Sequence, residues 1–366
     1  MLFVAVATMV LLSSCKKEFT ITVTSDNEAW GSVTGGGTYA KGLTISISAV
    51  AKSGYKFVKW DDGNTENPRT ITVESDATYT AIFEKASGGG GDNPGGGGDD
   101  PVQEGFSVSA TGKVYFSPGN LQWSATGTHA VAGGSTAEGT WRFAPNQWDT
   151  IGNNNSNISS SYSGWIDLFG WGTSGYNNKY PYMISTTYSD YGNGNNNISG
   201  TNYDWGVYNE IYNSKTQTTD APGTWRTLTD DEWNYLINIR TTSSGIRYAK
   251  ATVNGVAGLI LVPDSWSTST YNLNSTNTTG ASYTTNVITS AQWTTLEDAG
   301  CVFLPAAGYR NGTSVRYVGS YGYYWSAMYD NSYYAYNLGF YSGHVYTNDY
   351  CRRYYGLSVR LVKNVH

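Results

Sequence analysis

Charge is scarce in this 366-residue chain. Its 22 basic and 28 acidic residues make up only 14% of it and leave a formal net charge of -6. No Lys/Arg-rich stretch occurs, so a phosphate backbone would find no electrostatic footprint, and nucleic acid is not an expected partner. Histidine and cysteine number three each. His129, His344 and His366 lack metal-ligand spacing, and no G-x-S-x-G, P-loop or dinucleotide-binding pattern occurs, so neither a metal nor a cofactor is expected. Membrane-length apolar runs are missing too. "LFVAVATMVLL" at Leu2–Leu12 has 11 residues, too few to cross a bilayer as a helix. Glycine, serine, threonine, asparagine and tyrosine supply the polar surface instead. Aromatic residues reach 15%, too many for a chain disordered throughout.

The apolar run reads as the core of an export signal over residues 1–14. "LSSC" at Leu12–Cys15 follows it and resembles the lipobox of bacterial lipoproteins. That resemblance implies cleavage before Cys15, acylation of Cys15 and firm anchoring to a membrane. Residues 15–18 then form the lipidated tether, and Lys16-Lys17-Glu18 resembles the tether of surface-exported Bacteroides lipoproteins. The implied location is the outer membrane, facing the exterior. Cys301, in the apolar "CVFLPAAG", reads as a small core residue. Cys351 lies in a tyrosine-rich stretch, which leaves a Cys301–Cys351 disulfide open.

Residues 19–85 read as a small all-β unit. "FTITVTS", "LTISISAVA", "YKFVKWDDG", "RTITVES" and "YTAIFEK" alternate with period two between turn residues. The stretch resembles the divergent internalin-type B-repeat, with Gly54, Tyr55, Phe57 and Trp60 on that family's G-Y-x-F-x-x-W core. The resemblance implies a spacer or adhesion module. "WDDGN" reads as an Asp-Gly turn rather than a calcium site. Residues 86–104 carry two GGGG blocks and read as a flexible linker with an end-to-end distance of about 24 Å.

Residues 105–366 show an α+β pattern with two main helices, short strands and long loops. "TDDEWNYLINIR" opens on a capping box of Thr229 and Glu232, with Trp233, Leu236, Ile237 and Arg240 on one face. "TSAQWTTLEDAG" repeats the plan with Thr289, Gln292, Trp293 and Leu296, and Gly300 as the C-cap. Asp230-Asp231-Glu232 lie in a first helical turn, where acids complement the macrodipole. "VYFSPGNLQW", "WRTLTDDEWNYL", "GLILVPDSW", "VFLPAAGYR", "YYWSA", "AYNLGF" and "YYGLSVRLV" occur in this order. Together they resemble a Bacteroides-type lipoprotein domain, also seen as the Fibrobacter major paralogous domain, whose fold is similar to C-type lectin and formylglycine-generating-enzyme domains. Some members of this fold are targets of diversity-generating retroelements. There, mutated adenines scatter Asn codons to Tyr, Asp, Ser and His and do not readily reach Lys, Glu or Gln.

The stretch from Tyr309 to Tyr355 fits that output, with 14 of the chain's 31 tyrosines and no Lys, Glu or Gln. Tyrosine joins a rigid apolar ring to one polar tip, which is why paratopes use it. Tyr336, Leu338 and Phe340 alternate and read as core, as do Leu357, Val359 and Leu361. Trp325 and Arg360 match fixed family positions. "MYDNSYY" and "YTNDYCRRYY" show no alternation and read as exposed loops. The expected ligand-binding residues are Tyr321, Tyr323, Tyr329, Asp330, Asn331, Ser332, Tyr333, Tyr334, Tyr341, Ser342, His344, Asn348, Asp349, Tyr350 and Tyr354. The expectation is a monomeric, non-catalytic protein that binds a protein or glycan ligand through one loop face. A carbohydrate-binding adhesin with a fixed ligand is the alternative. Formylglycine-generating chemistry needs cysteines close in sequence, and Cys301 and Cys351 are far apart.

Overall fold

A computed structural model describes residues 17–365, save 29, 52–54, 86–104, 131–135 and 139–140. The expected signal segment, Cys15, Gly54 and the glycine-rich linker lie outside the described residues. The chain divides into two compact units between Val102 and Gln103. No described helix is long and apolar enough to cross a membrane.

Among the described residues the first unit has seven strands: β1 (Glu18–Ser25), β2 (Gly31–Thr34), β3 (Gly37–Ala40), β4 (Thr44–Ala51), β5 (Tyr55–Trp60), β6 (Arg69–Thr72) and β7 (Ala77–Lys85). They form one sheet of order β3-β1-β7-β5 and another of order β2-β4-β6. Alternating side chains meet in a core of Ile21, Ile47, Ile71, Val73, Ala81 and Phe83 around a fully buried Trp60. Burying the indole is affordable because its Nε1 donates to the Glu66 carbonyl at 2.9 Å. The five expected strands all form, and β2 and β3 add to them. "WDDGN" is a turn, in which Gly63, at φ +87°, donates its N–H to the Trp60 carbonyl at 2.8 Å.

The second unit begins with β8 (Phe106–Ser107), β9 (Lys113–Phe116), β10 (Leu121–Trp123), the hairpin β11–β12 (Thr128–Ala130, Thr136–Glu138) and β13 (Trp141–Phe143). A long irregular stretch leads to α1 (Trp205–Tyr208), β14 (Ile211–Asn213), β15 (Thr218–Asp220) and α2 (Asp230–Asn234), which runs on as a π-helix to Ile239. There follow β16 (Tyr248–Val253), β17 (Val256–Leu261), β18 (Val287–Ile288), α3 (Ser290–Asp298), β19 (Val302–Pro305), β20 (Tyr309–Asn311) and β21 (Ser314–Arg316). Last come β22 (Tyr321–Tyr329), β23 (Tyr334–Tyr341), β24 (His344–Arg352) and β25 (Val362–Asn364).

The sheet β18-β16-β17-β19 is covered on both faces, so its strands read as continuous apolar runs. Tyr248, Leu259, Leu261, Val302 and Leu304 join Trp233, Leu236 and Ile237 of the α2 helix in one core. Ala249, Ala251, Val253, Ile260 and Phe303 join Trp293 and Leu296 of α3 in another. A third core, rich in tryptophan, lies under the irregular stretch and includes Trp171, Trp205, Trp225 and Trp325. Both capping boxes form as the sequence implies. Gly300, at φ +87°, ends α3, and the Cys301 N–H returns to the Leu296 carbonyl at 2.9 Å. The strands of the last sheet have nine, eight and nine residues, longer than the short strands expected.

Thr229→Ala removes the acceptor of the Glu232 N–H, held at 3.1 Å, and is expected to cost about 1 kcal/mol. Gly322→Ala would place a Cβ 2.1 Å from Phe340 Cζ and is expected to cost about 1–3 kcal/mol. Urea unfolding checks both, through lower midpoints at unchanged slope.

Candidate functional site

The tyrosine-rich segment is a three-stranded antiparallel sheet of order β22-β23-β24. Its register places side chains in rows across the strands. Tyr321, Tyr341 and His344 share one row; Tyr323, Gly339 and Tyr346 share the next. Trp325, Asn337 and Asp349 follow, then Tyr329, Ala335 and Cys351. Side chains alternate across a strand, so these rows belong to one face. The opposite face carries Gly322, Phe340 and Val345, then Tyr324 and Leu338, and further along Tyr336 with Tyr350 and Tyr334 with Arg352.

The two faces exchange roles midway. Near the Tyr321 end, Tyr324, Leu338 and Phe340 are buried in the core with α2, and the tyrosine rows face out. Toward the Tyr329 end, Ala327 and Ala335 are buried in the tryptophan core, and Tyr334 and Tyr350 stand out. Register irregularities between Trp325 and Tyr329, and between Asn337 and Gly339, accompany the exchange. Extra residues of this kind bend and twist a strand.

On the first face the rings form a continuous series. Tyr341 lies 4.6 Å from Tyr321, which lies parallel to Tyr323 at 6.0 Å, and Tyr323 meets Tyr309 at 6.0 Å. Tyr309 stacks on Tyr355 at 5.1 Å, and Tyr355 meets Tyr354 at 5.3 Å. At the other end, Tyr341 reaches His344 at 4.9 Å and Tyr346 at 6.3 Å. His344 Nδ1 and the Tyr346 hydroxyl are 2.8 Å apart. Contacts of this kind add about 0.5–1.5 kcal/mol beyond burial and fix ring orientation.

The floor of this shelf is polar. A Cβ on Gly339 would lie 2.7 Å from Asp349 Oδ2, 3.4 Å from Tyr323 Cε1 and 3.5 Å from Asn337 Oδ1. Only glycine leaves room for the Asp349 carboxylate, which leans into that space. Burial raises the Asp349 carboxyl above the usual carboxylate range, and among the described residues no ion pair relieves it. Asn337 is fully buried, yet its amide finds no hydrogen bond beyond the weak one with the Cys351 thiol. Burial also pushes the Tyr323 phenol and the Cys351 thiol up, so both stay protonated.

A second array sits at the far end. Tyr188, from the irregular stretch, meets Tyr333 at 4.1 Å, and Tyr334 meets Tyr350 at 5.4 Å. The Arg352 guanidinium lies over Tyr334 and Tyr354 at 5.9 and 5.8 Å. In the turn between β22 and β23, Asp330 accepts from the Tyr336 hydroxyl at 2.9 Å, and the buried Arg353 donates to the Asn331 carbonyl at 2.6 Å.

The expectation of one loop face is therefore corrected. Tyr321, Tyr323, Tyr329, Tyr334, Tyr341, His344, Asn348, Asp349 and Tyr350 lie on strands, and only Asp330, Asn331, Ser332, Tyr333, Ser342 and Tyr354 lie in turns. Tyrosine pairs well across strands, and the exchange of faces hides the alternation from a linear reading. All fifteen are at least partly exposed, with Tyr350 at 56% and Tyr333 at 47%. They divide between two arrays, while Tyr329 packs against the tryptophan core. Tyr336, read as core, is half-buried on the second face. The reading also missed Tyr309, Tyr317, Tyr346 and Tyr355 of the first array and Tyr188 and Arg352 of the second. Tyr346 alternates with His344 along β24, a signal that a strand reading would have used. Cys301 and Cys351 are both free thiols in separate surroundings, so the disulfide left open by the sequence does not form.

Elsewhere, Ser107, Lys113, Thr241, Thr242, Ser243, Asp264 and Ser265 line an open groove of about 490 Å³. Its carboxylate is taken up by Ser107, Lys113 and Arg240. Among the described residues no group of three or more His, Cys, Asp or Glu side chains converges as a metal site would require.

Residues 21–87 match the family model of the divergent InlB B-repeat domain, in agreement with the repeat read from the sequence. Residues 279–362 match the model of a domain of unknown function, DUF8237, a span that contains the whole tyrosine-rich sheet. No curated protein and no solved structure matches the chain.

Peptide mapping after alkylation checks the thiols. Cys301, which is buried, and Cys351, which is half-buried, are expected to label slowly in the folded protein and fully in urea, because burial keeps both thiols protonated and protonated thiols are poor nucleophiles. A non-reduced peptide linking the two would contradict the geometry.

Proposed function

We propose that this chain is an exported, lipid-anchored protein of a bacterial outer membrane, and that its C-terminal unit binds a protein or glycan ligand on the tyrosine shelf, without catalysis. Cys15 supplies the anchor, the B-repeat unit the spacer and residues 86–104 the flexible joint. The C-terminal unit is a C-type-lectin-like domain, and the shelf is its variable face. The observation that carries the reading is the ring series from Tyr354 through Tyr309, Tyr323 and Tyr321 to Tyr346. Its members from Tyr309 to Tyr346 stand on strands, and Tyr354 and Tyr355 in the turn after β24. Exposed phenols pre-ordered by a core bind with little loss of rotamer freedom. The Tyr, Asn, Asp, Ser and His content of the segment fits adenine-directed diversification.

Screening on protein and glycan arrays tests this, followed by Tyr321→Ala, Tyr341→Ala and Tyr346→Ala. Each is expected to weaken the captured ligand at least about tenfold, as hot-spot aromatics do, while Tyr39→Ala, in the first unit, has no effect. Binding that survives all three shelf variants would overturn the assignment. Genes from several strains should carry their substitutions at the shelf and turn positions. An even scatter would remove the diversification claim.

A further inference from the structure

The row Tyr323–Gly339–Tyr346 places a glycine between two phenols. The slot between them is floored by the Asp349 carboxylate, which leans into the space that the missing Cβ leaves. Tyr321 and Tyr341, 4.6 Å apart, close one end. At the other end lie Asn337 and Asp349, whose Oδ1 and Oδ2 both approach the space where a Cβ would sit. Asp349 Oδ1 accepts from the Tyr350 N–H at 2.9 Å, and no hydrogen bond is made by Oδ2 among the described residues. Behind it, the Asn337 amide is fully buried and without a partner other than the Cys351 thiol. Buried polar groups are almost always satisfied, so an exception asks for an explanation.

We infer that this slot is a cation pocket: four phenols and the Asp349 carboxylate receive an ammonium or guanidinium group from a basic side chain of a protein ligand. Aromatic rings attract a cation to their faces, and a carboxylate with no cation of its own supplies the charge partner. A neutral sugar ring would leave that carboxylate without a charge partner, whereas a basic chain end supplies one. The inference rests on the shelf being the binding face and adds the chemistry of what enters it.

Saturation-transfer NMR on the full chain tests it, with N-acetyl-lysine methylamide, N-acetyl-arginine methylamide, neutral N-acetyl-norleucine methylamide and methyl mannoside as probes. The two cationic probes are expected to receive saturation at their terminal methylenes. Asp349→Asn, which keeps the shape, is expected to weaken them about tenfold, the worth of one charge-assisted hydrogen bond. Gly339→Ala should block them as well. Equal transfer to norleucine or to the mannoside, or indifference to Asp349→Asn, overturns the pocket. If the cationic probes fail while Tyr321→Ala and Tyr341→Ala still abolish capture on the arrays, the cation pocket falls and the shelf stands. If the shelf variants also bind normally, both fall.

Discussion

Four buried cations without a carboxylate partner hold the C-terminal unit together. Lys250, Arg310, Arg353 and Arg360 are essentially inaccessible to water, and their partners are neutral oxygens. Arg310 donates to the carbonyls of Gly312 and Leu168 at 2.7 and 3.3 Å, Arg353 to those of Gly194 and Asn331 at 2.5 and 2.6 Å, and Arg360 to Gln147 Oε1 at 2.6 Å. Lys250 donates to the carbonyls of Thr279 and Tyr341 at 2.6 and 2.5 Å. Taking a charge out of water is costly unless dipoles replace the lost hydration. Burial accordingly pulls Lys250 down to about 8 and Arg310 and Arg360 to about 10. Irregular chain has the complementary problem, because its carbonyls lack the partners a helix or sheet would give. Arg310 and Arg353 each satisfy several at once, which helps to fix the non-repetitive backbone around them.

These ties reach the proposed recognition surface. Lys250 holds the end of β23 at Tyr341, and Arg353 joins the β22–β23 turn to the irregular stretch at Gly194. The phenols therefore stand on backbone that is anchored at both ends of the sheet. Affinity from such an array comes largely from what is not lost on binding. Stacking among the rings adds to this, since each ring's neighbours restrict it before a ligand arrives.

Much of this was legible in the sequence, for reasons that differ by element. The capping boxes at Thr229 and Thr289, the glycine stop at Gly300 and the B-repeat strands are local signals, and local chemistry decided them. The importance of the tyrosine-rich segment was legible in its composition. Its form was not. A strand that is buried on one face for half its length and on the other for the rest shows no uniform period of two, so β22 and β24 read as loop. Tyr188 and Tyr309 reach the arrays only through tertiary contacts. Tyr324 shows the limit from the other side. It looks like its neighbours in sequence, yet it is wholly buried, with its hydroxyl donating to the Pro305 carbonyl at 2.9 Å and accepting from Asn120 Nδ2 at 3.2 Å.

That contrast lets one segment serve stability and the proposed recognition together. Near the Tyr321 end, packing is carried by Gly322, Tyr324, Leu338 and Phe340, while Tyr321, Tyr341, His344 and Tyr346 project away from that core. A change on the outward set leaves the inward contacts in place, and surface changes of that kind typically alter stability by no more than about 0.5 kcal/mol. The exception is the row of Trp325, Asn337 and Asp349, where the buried face changes sides. There the outward set becomes the inward one, so Asn337 must satisfy the core and the floor of the shelf at once. A position under both demands tolerates few residues, and it is there that the sheet leaves a buried amide unsatisfied. The cost of the exchange of faces is thus concentrated in that one row, beneath the half-buried Asp349 carboxyl.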